Sequence, residues 1–230
     1  MGWLPDDFFI GHPGPPERRP RRPIGQGDVF ESVPIAIRAG LENGQLRTSG
    51  AIDTVIVVAS SCGMRKDAGQ LNDLVHVAPV KRLESLARGW GEPWSGFLAV
   101  LPLPGLTHGG TSDAVAANLA RIGLCSATNL TVERRLASVS LSGMETLKSR
   151  LSTYFTRAQI APSLFAVGAH EEWHELDLWE RWVTLRGHED GFQAWLDEVN
   201  PNFVPNSRRE TLYDDLVGIS EQLEVEAVAR

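Results

Sequence analysis

The sequence predicts an α+β protein, with a small β-rich domain followed by an acidic helical C-terminal region. Three observations carry this. β-Branched and alternating segments crowd the stretch from Gly27 to about Thr131. Apolar positions then switch to helical spacing from Leu141 onward. The net charge of −7 is also uneven: residues 28–162 carry a net +2 and residues 163–230 a net −10. No apolar run reaches the ~20 residues of a bilayer span, and the N-terminus is acidic where a signal peptide is basic. A cytoplasmic protein without membrane association is expected.

The chain divides into a Pro/Arg-rich arm (1–25), a β domain with a terminal helix (26–160) and a Trp-rich helical region (161–230). Prolines between 13 and 23 remove amide donors, so the arm reads as extended and mobile. The segment DVFESVPIAI alternates as a strand, with Pro34 marking an edge or bulge. Asn43-Gly44 is a hairpin turn signal. The run Val55 to Val58 reads as a strand buried on both faces, followed by a polar loop and the strand LVHVAPV. Leu83 to Ala87 reads as a short helix or turn, GFLAVLPLP as a strand, and AVAANLARIGLCSATNLT as two short strands.

In LSGMETLKSRLSTYF, Met144, Leu147, Leu151 and Phe155 form an apolar stripe, and Ser142 with Glu145 makes a capping box. The next helix stripes Trp173, Leu176, Trp179 and Val183. A short helix around Trp195 stops at Asn200-Pro201, and Ser207 with Glu210 caps a last helix striped by Leu212, Leu216, Ile219 and Leu223. Trp173, Trp179, Trp182 and Trp195 concentrate large aromatic area in one stretch, which docks on the β domain or presents a surface to a protein partner.

The cations gather in the arm (Arg18, Arg19, Arg21, Arg22), in the polar loop (Arg65, Lys66) and at Arg82. Such clusters suit a phosphate backbone, so RNA or DNA is an expected partner. The acidic region would either meet a basic partner or fold over the chain's own basic face.

The order of motifs in residues 26–157 resembles the MazF/PemK-type toxin family. The strand opener is Gly27-Asp28-Val29, the hydrophobic strand ending in Ser is DTVIVVAS, the "VxVAP" strand is Val75 to Pro79, and Leu141-Ser142 opens the helix. Gln26 to Phe30 and Ser60-Ser61-Cys62 are similar to a further set of bacterial proteins, with Gly63 where those carry Asp. The resemblance implies a small SH3-like barrel with a C-terminal helix, and metal-independent cleavage of single-stranded RNA. The family places Arg-Pro where this chain has Asp53-Thr54, and Thr where it has Lys81. The toxin site is therefore altered. Arg47, Thr48 and Lys81 are the residues left to rebuild it, by stabilising charge on a phosphate.

Two other chemistries are legible. Cys62, after a buried strand and near Arg65 and Lys66, has the setting of an activated thiol with His76 as partner; the bland alternative is an inert thiol. His170-Glu171-Glu172-Trp173-His174 matches H-E-x-x-H, which on a helix offers two imidazoles and a base for a zinc hydrolase, with Glu198 or Glu180 as third ligand. Its competing reading is a solvated His/Glu face. The loop around His108 lacks the Gly-Lys-Ser/Thr of a phosphate loop, and no cofactor is expected. The expected function is thus binding of nucleic acid or of a protein partner on an altered toxin fold. The alternatives are an endoribonuclease with a shifted site, a zinc hydrolase, or a structural subunit of a larger assembly.

Overall fold

A computed structural model describes residues 7–10, 21–61, 63–66, 69–86, 98–106, 114–157, 162–199, 206–212 and 214–229. Within these the chain is α+β. Strands β1 (Val29–Glu42), β2 (Gln45–Val57), β3 (Leu74–Arg82), β4 (Val100–Pro102), β5 (Val115–Asn118), β6 (Gly123–Ser126) and β7 (Arg135–Ala137) form one antiparallel sheet. A one-turn helix α1 (Leu83–Leu86) follows β3, and α2 (Leu141–Thr156) closes the β domain. Then come α3 (Ala166–Arg186), α4 (Phe192–Asp197), α5 (Arg208–Thr211) and α6 (Leu216–Ala229).

The turn chemistry is the one the sequence specifies. Asn43 and Gly44 both take positive φ, at 51° and 79°, which fits a tight hairpin between β1 and β2. That hairpin is long: Val29 pairs with Ile56 and Glu42 with Gln45. β2 also pairs β3, β3 pairs β6, and β6 returns to β1 at Ala36–Leu124. The four strands therefore make a closed circuit of pairings.

Alternation sends the side chains of this circuit into two cores. Phe30, Val33, Ile35, Val55, Val57, Val75 and Val77 share one cluster with Cys125. Ile56, Val58, Ala78 and Val80 point the other way and pack with Met144 and Leu147 of α2. The stretch Val55 to Val58 is thus buried on both faces, which accounts for its unbroken β-branched run. Phe8 and Phe9 lie in the α2-side core, and Phe9 bridges to Val139. The described part of the N-terminal segment is packed rather than free.

Three helix details differ from expectation. The N-cap of α2 is Ser140, whose hydroxyl accepts from the Gly143 amide at 3.0 Å; Ser142 instead donates to Asp7 at 2.8 Å. Phe155, placed in the apolar stripe, is 68% exposed, and Tyr154 rather than Phe155 packs against the core after Leu151. Ser207 and Glu210 form the expected reciprocal box, but the helix it caps, α5, ends at Thr211, and Leu216, Ile219 and Leu223 belong to the separate α6. A third cluster, separate from the sheet cores, joins Trp179, Trp182, Phe192, Trp195, Leu212, Ile219 and Leu223. No helix among the described residues is long and apolar enough to cross a membrane.

Candidate functional site

The residues expected to rebuild a toxin-like site do not converge. The β2–β3 register sets Asp53 opposite Lys81, and the two form an ion pair. Asp53 therefore does not face a phosphate unopposed, and the charge of Lys81 is already engaged. Arg47 lies six residues further along β2, roughly 20 Å away at the rise of a strand. It pairs with Glu42 near the hairpin tip, and Thr48 stands opposite Arg38. The grouping of Arg47, Thr48 and Lys81 is thus corrected: Arg47 and Thr48 lie toward the tip of the β1–β2 hairpin, and Lys81 pairs with Asp53 further down β2. Cys62, Arg18 and Arg19 lie outside the described residues. The other thiol, Cys125, is buried, and burial pushes its pKa up to about 11, so it is an inert core residue.

The described cations of the basic cluster divide between exposed positions, at Arg21, Lys66 and Arg82, and positions under a helix. Lys66 pairs with Asp73 at 2.8 Å, and Arg82 remains exposed at the end of β3. Arg22 and Arg65 lie under α3. Arg22 is only 3% exposed, sits 5.1 Å from the Trp173 ring centroid, and has Asp177 at 3.8 Å. Arg65 lies over Trp179 at 4.5 Å. Its two terminal nitrogens donate to the carbonyls of Gly69, at 2.6 Å, and Ile24, at 2.5 Å. Gly69 has φ +82°, and a Cβ there would stand 2.9 Å from Trp179, so only glycine lets this loop close on the indole.

Glu172 latches the same helix to the β domain. One carboxylate oxygen accepts from the Ser61 amide at 2.5 Å, and the other from Lys148 of α2. Trp173 donates its indole N–H to the Val139 carbonyl at 3.1 Å. The seam between α3 and the β domain therefore joins Arg22, Ser61, Arg65, Lys148 and Val139 to Glu172, Trp173, Asp177 and Trp179. A cavity of about 510 Å³ opens beside it, with Arg21, Arg65, Leu71, Val132, Val183 and Glu189 in its walls.

Three of the four tryptophans read as a partner surface are interior residues. Trp179, Trp182 and Trp195 are 2–4% exposed, and Trp173 is half-buried at the seam. Trp182 donates to the Asp190 carbonyl at 3.2 Å and Trp195 to Glu226 at 3.0 Å, so both indole N–H groups are satisfied inside the chain.

The H-E-x-x-H histidines do meet, as helical spacing requires: the rings of His170 and His174 are 4.1 Å apart. Glu198, however, is held by Arg208 at 3.2 Å in the third cluster, and Glu172 is spent on the latch. Among the described residues no group of three or more His, Cys, Asp or Glu is placed to hold a metal. The third-ligand assignment to Glu198 is corrected accordingly.

His174 instead works as a neutral seam residue. Burial, then His170, Arg181 and Arg22, holds its pKa down at about 4 against a normal 6.5, with Asp177 pulling the other way. Between those two values the unfolded chain binds the proton that the folded chain refuses, so stability falls as pH drops from 6.5 toward 4. With solvent screening of a half-exposed ring the loss is about 1–2 kcal/mol. The expected result is that His174→Gln flattens this part of the stability–pH curve, measured by urea unfolding at pH 7 and pH 4.5. An unchanged slope would show that another group sets it.

No family model matches the chain, and no curated protein matches it.

Proposed function

We propose that residues 26–160 form an SH3-like barrel of MazF/PemK type, and that the chain is a nucleic-acid-binding module whose basic residues are held in cis by its own acidic C-terminal region. The closed circuit of β1, β2, β3 and β6 supports the barrel reading, as do the Gly27-Asp28 opener and the helix beginning at Leu141. The observation that carries the regulatory part is the position of Arg22 and Arg65 beneath α3, against Asp177, Trp173 and Trp179. These are two of the cations that would otherwise meet a phosphate backbone. Binding is favoured over cleavage because Lys81 is neutralised by Asp53 and stands far from Arg47.

The test is a pair of charge reversals on α3, Glu172→Arg with Asp177→Arg, in the full chain. They place cations against Lys148 and Arg22 and push the helix off the seam. Affinity for a single-stranded RNA, read by fluorescence anisotropy, is expected to rise about tenfold and to become more salt-dependent. Hydrogen exchange over residues 166–186 confirms that the helix has lifted. Unchanged affinity with a lifted helix removes the reading, and metal-independent cleavage of the same RNA would replace it with the endoribonuclease one.

A further inference from the structure

The cavity beside the seam is lined by a cation, Arg65. Arg65 has five N–H donors, and two of them are fixed on the carbonyls of Gly69 and Ile24. Its Nε is buried and meets no acceptor among the described residues, and none of these residues places a carboxylate within ion-pair distance of it. Glu175, Glu189, Asp28 and Glu172 favour its charge from further off, yet burial still lowers its pKa. Its carbonyl acceptors bring no formal negative charge, so an anion arriving from the cavity would add a charge-assisted partner. The guanidinium is also preorganised. Two short bonds and the Trp179 face fix its plane, so little rotamer freedom remains to be lost on binding.

The rest of the cavity narrows the ligand. Arg21, exposed and held among the described residues by a long 3.4 Å contact to the Thr184 carbonyl, supplies a second cation in the lining. Leu71, Val132 and Val183 give apolar wall for a flat ring. Glu189 is exposed in the same lining, where its carboxylate accepts hydroxyl donors and repels a second phosphate. The volume of about 510 Å³ lies within the range of small-molecule sites.

We propose that this cavity binds a phosphate monoester on a ring-bearing, hydroxylated body, the chemistry of a nucleoside 5′-monophosphate. Arg65 and Arg21 take the phosphate and Glu189 takes the sugar hydroxyls. The same chemistry is presented by a free mononucleotide and by the 5′-phosphorylated end of a short strand. The site stands whether or not the barrel binds longer nucleic acid.

The experiment is calorimetric titration of the full chain with adenosine and cytidine 5′-monophosphates, adenosine, inorganic phosphate, adenosine triphosphate and a 5′-phosphorylated dinucleotide. Saturable binding of the monophosphates is expected, at least about tenfold weaker for adenosine and for the triphosphate. A dinucleotide that binds more tightly than the monophosphates identifies the strand end as the ligand; one that binds more weakly identifies the free nucleotide.

Arg65→Gln should weaken the monophosphates about tenfold or more, and Val132→Trp should do the same by filling the cavity without touching a charge. Glu224→Gln, on an exposed face of α6, should change nothing. If Arg65→Gln misfolds, Val132→Trp decides alone. Adenosine or inorganic phosphate binding as well as the monophosphate overturns the proposal, as does wild-type binding by the cavity-filled variant.

Discussion

Replacing Arg135 by Met is expected to cost about 3–5 kcal/mol. Arg135 is fully buried, and one of its terminal nitrogens donates to Asp28 at 3.1 Å and to the Arg22 carbonyl at 2.8 Å. Asp28 is 2% exposed and also accepts from the Gly25 amide at 3.1 Å. Without Arg135 the carboxylate stays buried and loses its cation, while the leader at residues 22–25 loses its tie to β7. The midpoint of thermal unfolding, followed by circular dichroism, should fall by roughly 10 °C at this chain length. Adding Asp28→Asn should recover part of the loss, because the orphaned charge is then gone. Strict additivity of the two substitutions would show that the pair is not the tie.

The same pair shows how far the sequence could be read. Gly27-Asp28 is visible as a strand opener, but the work of Asp28 is done by a partner 107 residues away. Local signals survive well: the Asn43-Gly44 turn, the alternation of β1, the doubly buried run of β2 and the Ser207 box all depend on neighbours within a few residues. Tertiary destinations do not. The signs of Arg22 and Arg65 are plain in the sequence, and both were expected to face a ligand. Their positions are set by Asp177, Trp173 and Trp179, more than a hundred residues later. The pattern H-E-x-x-H correctly predicts two adjacent imidazoles, since helix geometry alone secures that. A third ligand is a matter of packing, and packing gave Glu198 to Arg208. The acidic excess of the last third was legible as a possible cover for the chain's own cations. Which carboxylates touch them was not.

Trp182→Ala is expected to remove about 3–5 kcal/mol, and to remove it unevenly. The indole is 2% exposed and anchors a cluster distinct from both sheet cores, with Phe192 at 5.9 Å, Trp195 at 5.7 Å and Arg186 over its ring at 4.1 Å. α3 belongs to two cores at once: Ala169 packs with α2 and the sheet, whereas Leu178, Trp179 and Trp182 pack with α4 and α6. A cavity in the second core should therefore loosen α4, α6 and the C-terminal half of α3 first, while β1, β2 and β3 keep their ladder. Hydrogen exchange should show protection lost over 176–186, 192–197 and 216–223 and retained over 54–57 and 75–80. Trp179 would lose its neighbours in the same event, and Trp179 is what covers Arg65. Affinity for single-stranded RNA should then rise in this variant too, although no charge has been altered. Uniform loss of protection across helices and strands would mean that the two parts unfold as one. The seam could then not open without unfolding the β domain, and control in cis would have no physical basis.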